Sequence, residues 1–63
     1  MRNGKPWVGD QVRDEEAGRD GVITDVQGGT VYVLRALRGP DQWKSRRGDR
    51  LTVVVPLQDQ IEF

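Results

Sequence analysis

The 63-residue chain contains no cysteine and no histidine. Without cysteine it can form neither a disulfide nor a thiolate-metal site. Without histidine it lacks the commonest general base and the commonest metal ligand. Carboxylates, Lys, Ser, Thr and Tyr remain for catalysis, in a chain too short to enclose a deep pocket. We therefore expect a protein that is not an enzyme and that uses no cofactor, metal or small-molecule substrate.

The sequence also has no long apolar run and no signal peptide, so we expect no membrane partner and a cytoplasmic location. Ten acidic residues balance ten basic ones, and this net charge of zero gives no argument for a nucleic-acid partner. The charge is unevenly distributed, however. Residues 1–34 sum to −2, residues 35–50 to +4 and residues 51–63 to −2. The basic middle segment is therefore the part of the chain that points to a ligand.

Helical periodicity is weak, because valine, threonine and glycine stand where a helix would need alanine, leucine and glutamate. Short β-branched runs separated by turn residues predict strands instead. Gly28 and Gly29 join two such runs, which predicts a hairpin. Pro40 and Pro56 each end a run. The predicted strands are QVRD, VITDVQ, TVYVLRAL, QWKSR and RLTVVV.

Five short strands with tight links predict an all-β domain, a single strongly bent antiparallel sheet. Closing that sheet into a barrel would hide most of its edges, which a domain this small requires. We predict a flexible N-terminal arm at residues 1–6 and the barrel at residues 7–56. Residues 57–63 form either a closing turn or an apolar tail that seeks a partner.

The fragments VGDQV, GRDGVITDV and VYV resemble the opening of SH3-like small barrels, including KOW-type and Tudor-like domains. Here Gly21, Ile23 and Val26 match the glycine-led second strand, and their spacing predicts a bulge or a strong twist. The later QWKSRRGDRLTVV resembles the fourth and fifth strands. The resemblance covers residues 8–55 and implies a five-stranded SH3-like barrel. The whole chain is also similar to small actinobacterial proteins. Because such barrels bind peptides, modified side chains, RNA or DNA, the resemblance leaves the ligand open.

Four acidic residues lie at the end of the first predicted strand and in the segment before the second: Asp14, Glu15, Glu16 and Asp20. Their oxygens could in principle bind Ca²⁺ or Mg²⁺. Their spacing matches no EF-hand loop, and arginines flank them on both sides. We therefore interpret this segment as a solvated or salt-bridged loop. The resemblance to SH3-like barrels implies that this loop would border the ligand groove.

The aromatic side chains allow either packing or binding. Alternation along TVYVLRAL places Val31 and Val33 on one face and Tyr32 and Leu34 on the other. If the valines form the core, Tyr32 lies outside, where Trp43 of the next strand could join it in an aromatic groove. The alternative is that Trp43 and Leu34 fill a small core that lacks other large residues. Trp7 is better suited to a lid over one barrel end than to binding.

The basic segment is the strongest functional lead, because its cations lie on two predicted strands and their turns. Adjacent cations would contact phosphates, and Trp43 or Tyr32 could stack on a base. The alternative is a solvated, ion-paired face, since Asp41 and Asp49 lie within the segment. The cations are Arg35, Arg38, Lys44, Arg46, Arg47 and Arg50.

These observations predict a small binding module, a monomer or weak dimer, that contacts RNA or DNA through its basic strands. Two alternatives remain open. One is an adaptor that binds a protein or peptide in the aromatic groove. The other is a structural accessory subunit that dimerises through Leu57, Ile61 and Phe63.

Overall fold

The computed structural model describes residues 5–57 of the chain. In this part the chain forms five antiparallel strands, and the prediction of a five-stranded all-β domain is confirmed. The strand order in the sheet is β4-β3-β2-β1-β5. A 3₁₀ turn at Gly48–Arg50 precedes the last strand. The strands are β1 (Gln11–Asp14), β2 (Arg19–Gln27), β3 (Val31–Ala36), β4 (Gln42–Ser45) and β5 (Leu51–Val55).

The long strand β2 holds the sheet together, because it belongs to both of its halves. The first part of β2 pairs with β1, from Asp14↔Arg19 to Gln11↔Val22. From Gly21 onward β2 also pairs with β3, which continues to the hairpin at residues 28–30. Strands β1 and β5 therefore lie on one side of β2 in the sheet, and β3 and β4 lie on the other side.

The predicted bulge in β2 is confirmed at Thr24. Ile23 pairs with Leu34 and Asp25 pairs with Val33, so Thr24 is an extra residue on the β2 side. A second irregularity falls between Gln11 and Val12, where β1 meets β5. Bulges bend a strand and increase its twist. These two positions therefore curve the sheet on either side of its centre.

The sheet order is open within residues 5–57, with β4 and β5 at its edges. A flat sheet would hold these edges about 19 Å apart, given the usual strand spacing. The link from Ser45 to Leu51 reaches about 16 Å at most, because half of it is a compact 3₁₀ turn. The short link therefore requires the sheet to curl.

The core lies on the inner face of this curl. Its buried members come from β1, β2, β3 and β5, with Val26, Trp43 and Val53 packed against them. They are Val12, Ile23, Tyr32, Leu34 and Leu51.

The sequence left open which face of β3 forms the core, and the condition that Val31 and Val33 form it is not met. Alternation along the strand is confirmed, but Tyr32, Leu34 and Ala36 point inward, and Val31 and Val33 are only partly buried. Tyr32 is 8% exposed. The ring of Tyr32 packs against Gly48, where an added Cβ would lie 2.8 Å from Cε1 of the tyrosine. Because Gly48 has no side chain, the ring of Tyr32 can pack against its backbone.

Of the predicted arm at residues 1–6, only Lys5 and Pro6 are described, and Pro6 is buried. Trp7 is 49% exposed. Of the predicted tail at residues 57–63, only Leu57 is described. Its backbone N–H donates a 3.0 Å hydrogen bond to Oδ1 of the buried Asp10, so Leu57 is joined to the turn that precedes β1.

Candidate functional site

Two of the predicted ligand-binding cations lie side by side on the face of the sheet that is turned away from the core, here called the outer face. Arg35 on β3 pairs with Gln42, and Lys44 on β4 pairs with Val33. Residues paired across an antiparallel ladder share a face, and diagonal neighbours are about 7–8 Å apart. Arg35 and Lys44 are such a diagonal pair, and both are exposed.

The neighbours of this pair on the outer face include uncharged side chains. Val22 pairs with Arg35 from the β2 side, and Val33 lies between Lys44 and β2. A shallow open depression of about 160 Å³ is lined by Val33, Gln42, Trp43 and Lys44. The carboxylate of Asp25, across Val33 from Lys44, accepts the backbone N–H of Val26 at 2.9 Å.

Arg38 and Arg46 flank this pair along the chain. Arg38 lies in the exposed loop between β3 and β4, and Arg46 follows β4 directly, two residues beyond Lys44. Within residues 5–57 none of these four cations makes an ion pair; the pairs present there involve Arg13, Arg19 and Arg47. We call the four residues the β3–β4 basic patch: Arg35, Arg38, Lys44 and Arg46.

The remaining two predicted cations lie apart from the patch. The guanidinium of Arg47 donates two hydrogen bonds to Asp49, from Nε at 3.0 Å and from Nη2 at 2.9 Å. This contact lowers the pKa of the Asp49 carboxyl and raises the pKa of Arg47. Arg50 is the last residue of the 3₁₀ turn, directly before the opposite edge strand β5, and its C=O accepts the N–H of Glu15 at 2.9 Å. The sequence-predicted basic segment is therefore divided by the link between β4 and β5.

Trp43 lies on the inner face, and the N–H, the far edge and one face of its indole contact other residues. Nε1–H donates a 2.8 Å hydrogen bond to Oδ2 of Asp14. The far edge of the ring packs over Gly21, where an added Cβ would lie 2.7 Å from Cη2. The guanidinium of Arg19 stacks over the ring at 4.2 Å from its centroid, within the range of a cation–π contact. Arg19 also pairs with Asp41 at 3.6 Å.

The structure does not form the predicted aromatic groove. That groove requires Tyr32 and Trp43 to be exposed together, and Tyr32 is buried under Gly48. Trp43 is half-buried on the same inner face, which fits the alternative interpretation of Trp43 as a packing residue. Trp43 lines the depression beside Lys44, but Tyr32 is buried, so the two rings are not exposed together beside Arg35 and Lys44.

The acidic segment contains one residue that the sequence analysis misplaced. Asp14 is buried, not solvated, and its Oδ1 accepts the N–H groups of Glu16 and Ala17, each at 3.0 Å. Glu15 and Glu16 are exposed, and Asp20 forms the expected ion pair, with Arg13 at 3.1 Å. The carboxylate of Asp14 thus orders the turn after β1 and anchors Trp43.

Two structural roles were missed from the sequence. Asp10 is fully buried, and its Oδ2 accepts the N–H of Trp7 at 3.0 Å while its backbone N–H donates to the C=O of Trp7. Arg19 covers the Trp43 ring. The spacing Trp7-x-x-Asp10, with Gly9 at a φ of +96°, is the local signal of such a turn. The contact of Arg19 with Trp43 has no local signal, because the two residues are far apart in sequence.

Residues 5–57 contain no cluster of three or more acidic, cysteine or histidine residues placed to hold a metal ion. In the same part of the chain, no helix has the length and apolar character needed to cross a bilayer. No protein family matches the chain, and no curated protein or solved structure matches it.

Proposed function

We propose that the protein is a small non-enzymatic module, an SH3-like barrel in type, that binds nucleic acid through the β3–β4 basic patch. The observation that carries this proposal is the set of four exposed cations that make no ion pair within residues 5–57. All four lie on β3, β4 or the residues that flank β4.

The charge arrangement favours a polyanion. Arg35 and Lys44 project from neighbouring strands, so the sheet fixes their separation and holds both cations toward one ligand. Cations that replace condensed counterions on a nucleic acid gain affinity from counterion release. By contrast, Arg13 and Arg47 already have carboxylate partners on the protein.

The other candidate functions have less support from the contacts. The aromatic-groove adaptor needs an exposed Tyr32, and this side chain is buried. The accessory-subunit hypothesis depends on Leu57, Ile61 and Phe63, of which only Leu57 is among the described residues; it is 51% exposed. An acidic protein partner would use the same cations as a nucleic acid, and the experiment below separates the two.

The test is a binding titration of a fluorescently labelled nucleic acid at several salt concentrations. Four phosphate contacts predict that log K falls with log salt at a slope of about −3 to −4. The double variant R35Q/K44Q is expected to reduce that slope by about 2. The control is R13Q/R47Q, which removes the same charge from two cations that have carboxylate partners.

The control variant is expected to keep most of the wild-type affinity. An equal loss of affinity in both double variants would show that net charge, and not the patch, determines binding. Absence of binding at low salt would overturn the nucleic-acid proposal. So would tighter binding of a polyglutamate chain than of the nucleic acid, provided that the variant R35E/K44E loses the polyglutamate complex.

A further inference from the structure

We infer that the β3–β4 basic patch prefers double-stranded to single-stranded nucleic acid and contacts its phosphates, not its bases. The inference rests on the proposed function and names the class of nucleic acid. It follows from where the aromatic rings lie relative to the four cations.

Trp43 is the aromatic residue nearest to the patch in sequence, but its ring is committed to the protein. Its Nε1–H is bonded to Asp14, its edge lies over Gly21 and its face carries Arg19. A base could stack on that face only after Arg19 had left both the ring and Asp41, which it contacts at 3.6 Å. Trp43 is therefore unsuited to stacking on a base.

The other two described aromatic rings are separated from the patch. Tyr32 is 8% exposed and lies under Gly48 on the inner face. Trp7 is exposed, but it precedes β1, and the N–H of Gly9 in the same turn donates to the C=O of Ile23 on β2. Strands β2 and β3 therefore separate Trp7 from Lys44 on β4.

The surface beside Arg35 and Lys44 includes Val22, Val33 and Gln42, with the carboxylate of Asp25 across Val33. Trp43 also lines the depression there, and the guanidinium of Arg19 stacks on its ring. Val22, Val33 and Gln42 can pack against a sugar-phosphate backbone, but they offer no π face to a base. Proteins that bind single strands without sequence preference combine cations with aromatic stacking platforms. A surface that supplies the cations without the platform gains most from the ligand with the highest charge density, which is a duplex.

The size of the preference follows from the salt dependence. The slope per phosphate contact is about −0.9 for B-form DNA and about −0.7 for a single strand. For four contacts this difference predicts about tenfold tighter binding to a duplex at about 50 mM salt. The ratio of duplex affinity to single-strand affinity should decrease as the salt concentration increases, because both ligands bind weakly near molar salt.

The experiment compares duplex DNA, duplex RNA and a single strand of the same length and sequence, each titrated with the full chain. A further single strand with abasic sites tests whether bases contribute. We expect both duplexes to bind about tenfold more tightly than the single strand. We also expect equal affinity for the abasic and the intact single strand. A preference for only one duplex would identify DNA or RNA as the ligand within the same class.

Two variants control for stacking by aromatic residues outside the patch. W7A tests the exposed Trp7, and F63A tests Phe63, which lies outside the described residues. Both variants are expected to bind every ligand as the wild type does. If the intact single strand binds as tightly as the duplexes or more tightly, the duplex preference is overturned and the nucleic-acid proposal stands. The same conclusion follows if W7A or F63A loses binding to the single strand but not to the duplexes. Failure of all four ligands to bind would overturn the nucleic-acid proposal itself.

Discussion

The indole Nε1–H of Trp43 donates a 2.8 Å hydrogen bond to Oδ2 of Asp14, although β2 and β3 lie between their strands. The contact crosses the inner face of the curled sheet over Gly21. The other oxygen of Asp14 accepts two backbone N–H groups of the turn after β1. One carboxylate therefore joins β4, β1 and the first turn.

Replacement of Asp14 by Asn should destabilise the fold. An amide places its NH₂ group against either the indole N–H or the two backbone N–H donors, and a buried donor without an acceptor costs about 1–3 kcal/mol. Urea unfolding should show this loss, with a matched control in E16Q, whose side chain is exposed. Equal midpoints for D14N and E16Q would contradict the assigned role of the carboxylate.

Gly21→Ala should also be destabilising. The new Cβ would lie 2.7 Å from Cη2 of Trp43 and 2.8 Å from the C=O of Arg35, so both the ring and the backbone must shift. Overpacking of this kind typically costs about 1–3 kcal/mol. The control is Gly18→Asn, at a φ of +71° with open space around it, which asparagine tolerates. A thermal melt in which G21A and G18N behave alike would show that the indole is not packed there.

Substitutions at two neighbouring positions on β3 should change the free energy of unfolding to very different extents. Leu34 is fully buried, so Leu34→Ala is expected to lower the free energy of unfolding by about 2–5 kcal/mol. Val33 lies on the outer face and is only partly buried, so Val33→Thr is expected to change it by less than about 1 kcal/mol. Chemical denaturation of the two variants tests the assignment of faces directly, and the reverse order would refute it.

The carboxyl of Asp49 should titrate below its usual range. Hydrogen bonding by Arg47 lowers its pKa in the folded state. The resulting contribution to stability is present above the carboxyl's unfolded pKa and is lost as the pH falls through the folded value. An NMR titration of the Asp49 carboxyl carbon should show a midpoint that rises towards the usual value in R47Q. An unchanged midpoint in R47Q would assign the shift to another cause.

The strand count, the hairpin at Gly28-Gly29 and the bulge in β2 are all readable from local sequence, because each depends on residues close together in the chain. Which face of β3 is buried cannot be read from local sequence. Both of its faces carry apolar residues, and the space that Tyr32 occupies is left by Gly48, a residue outside the strand. Gly48 contacts the ring of Tyr32 only in the folded chain, where the link between β4 and β5 passes the inner face.

The candidate site was predicted in part for a similar reason. Arg35 and Lys44 are diagonal neighbours because β3 and β4 pair, and the sequence offered this adjacency only as a condition for phosphate contacts. Arg47 and Arg50 are close to them in sequence but follow the link away from the patch. Asp14 was misread because its neighbours Glu15 and Glu16 are exposed, and the donors that satisfy a buried carboxylate exist only in the folded chain.

Strands β1 and β5 pair with each other although they lie far apart in the chain, and this has a consequence for folding kinetics. Strands β2, β3 and β4 pair through short turns, whereas Asp14 on β1 pairs with Leu51 on β5 across most of the domain. Closing so long a loop costs more entropy than forming a hairpin, so the β1–β5 ladder should assemble last. The rate at which these two strands meet would then limit how quickly the inner face becomes sealed from water.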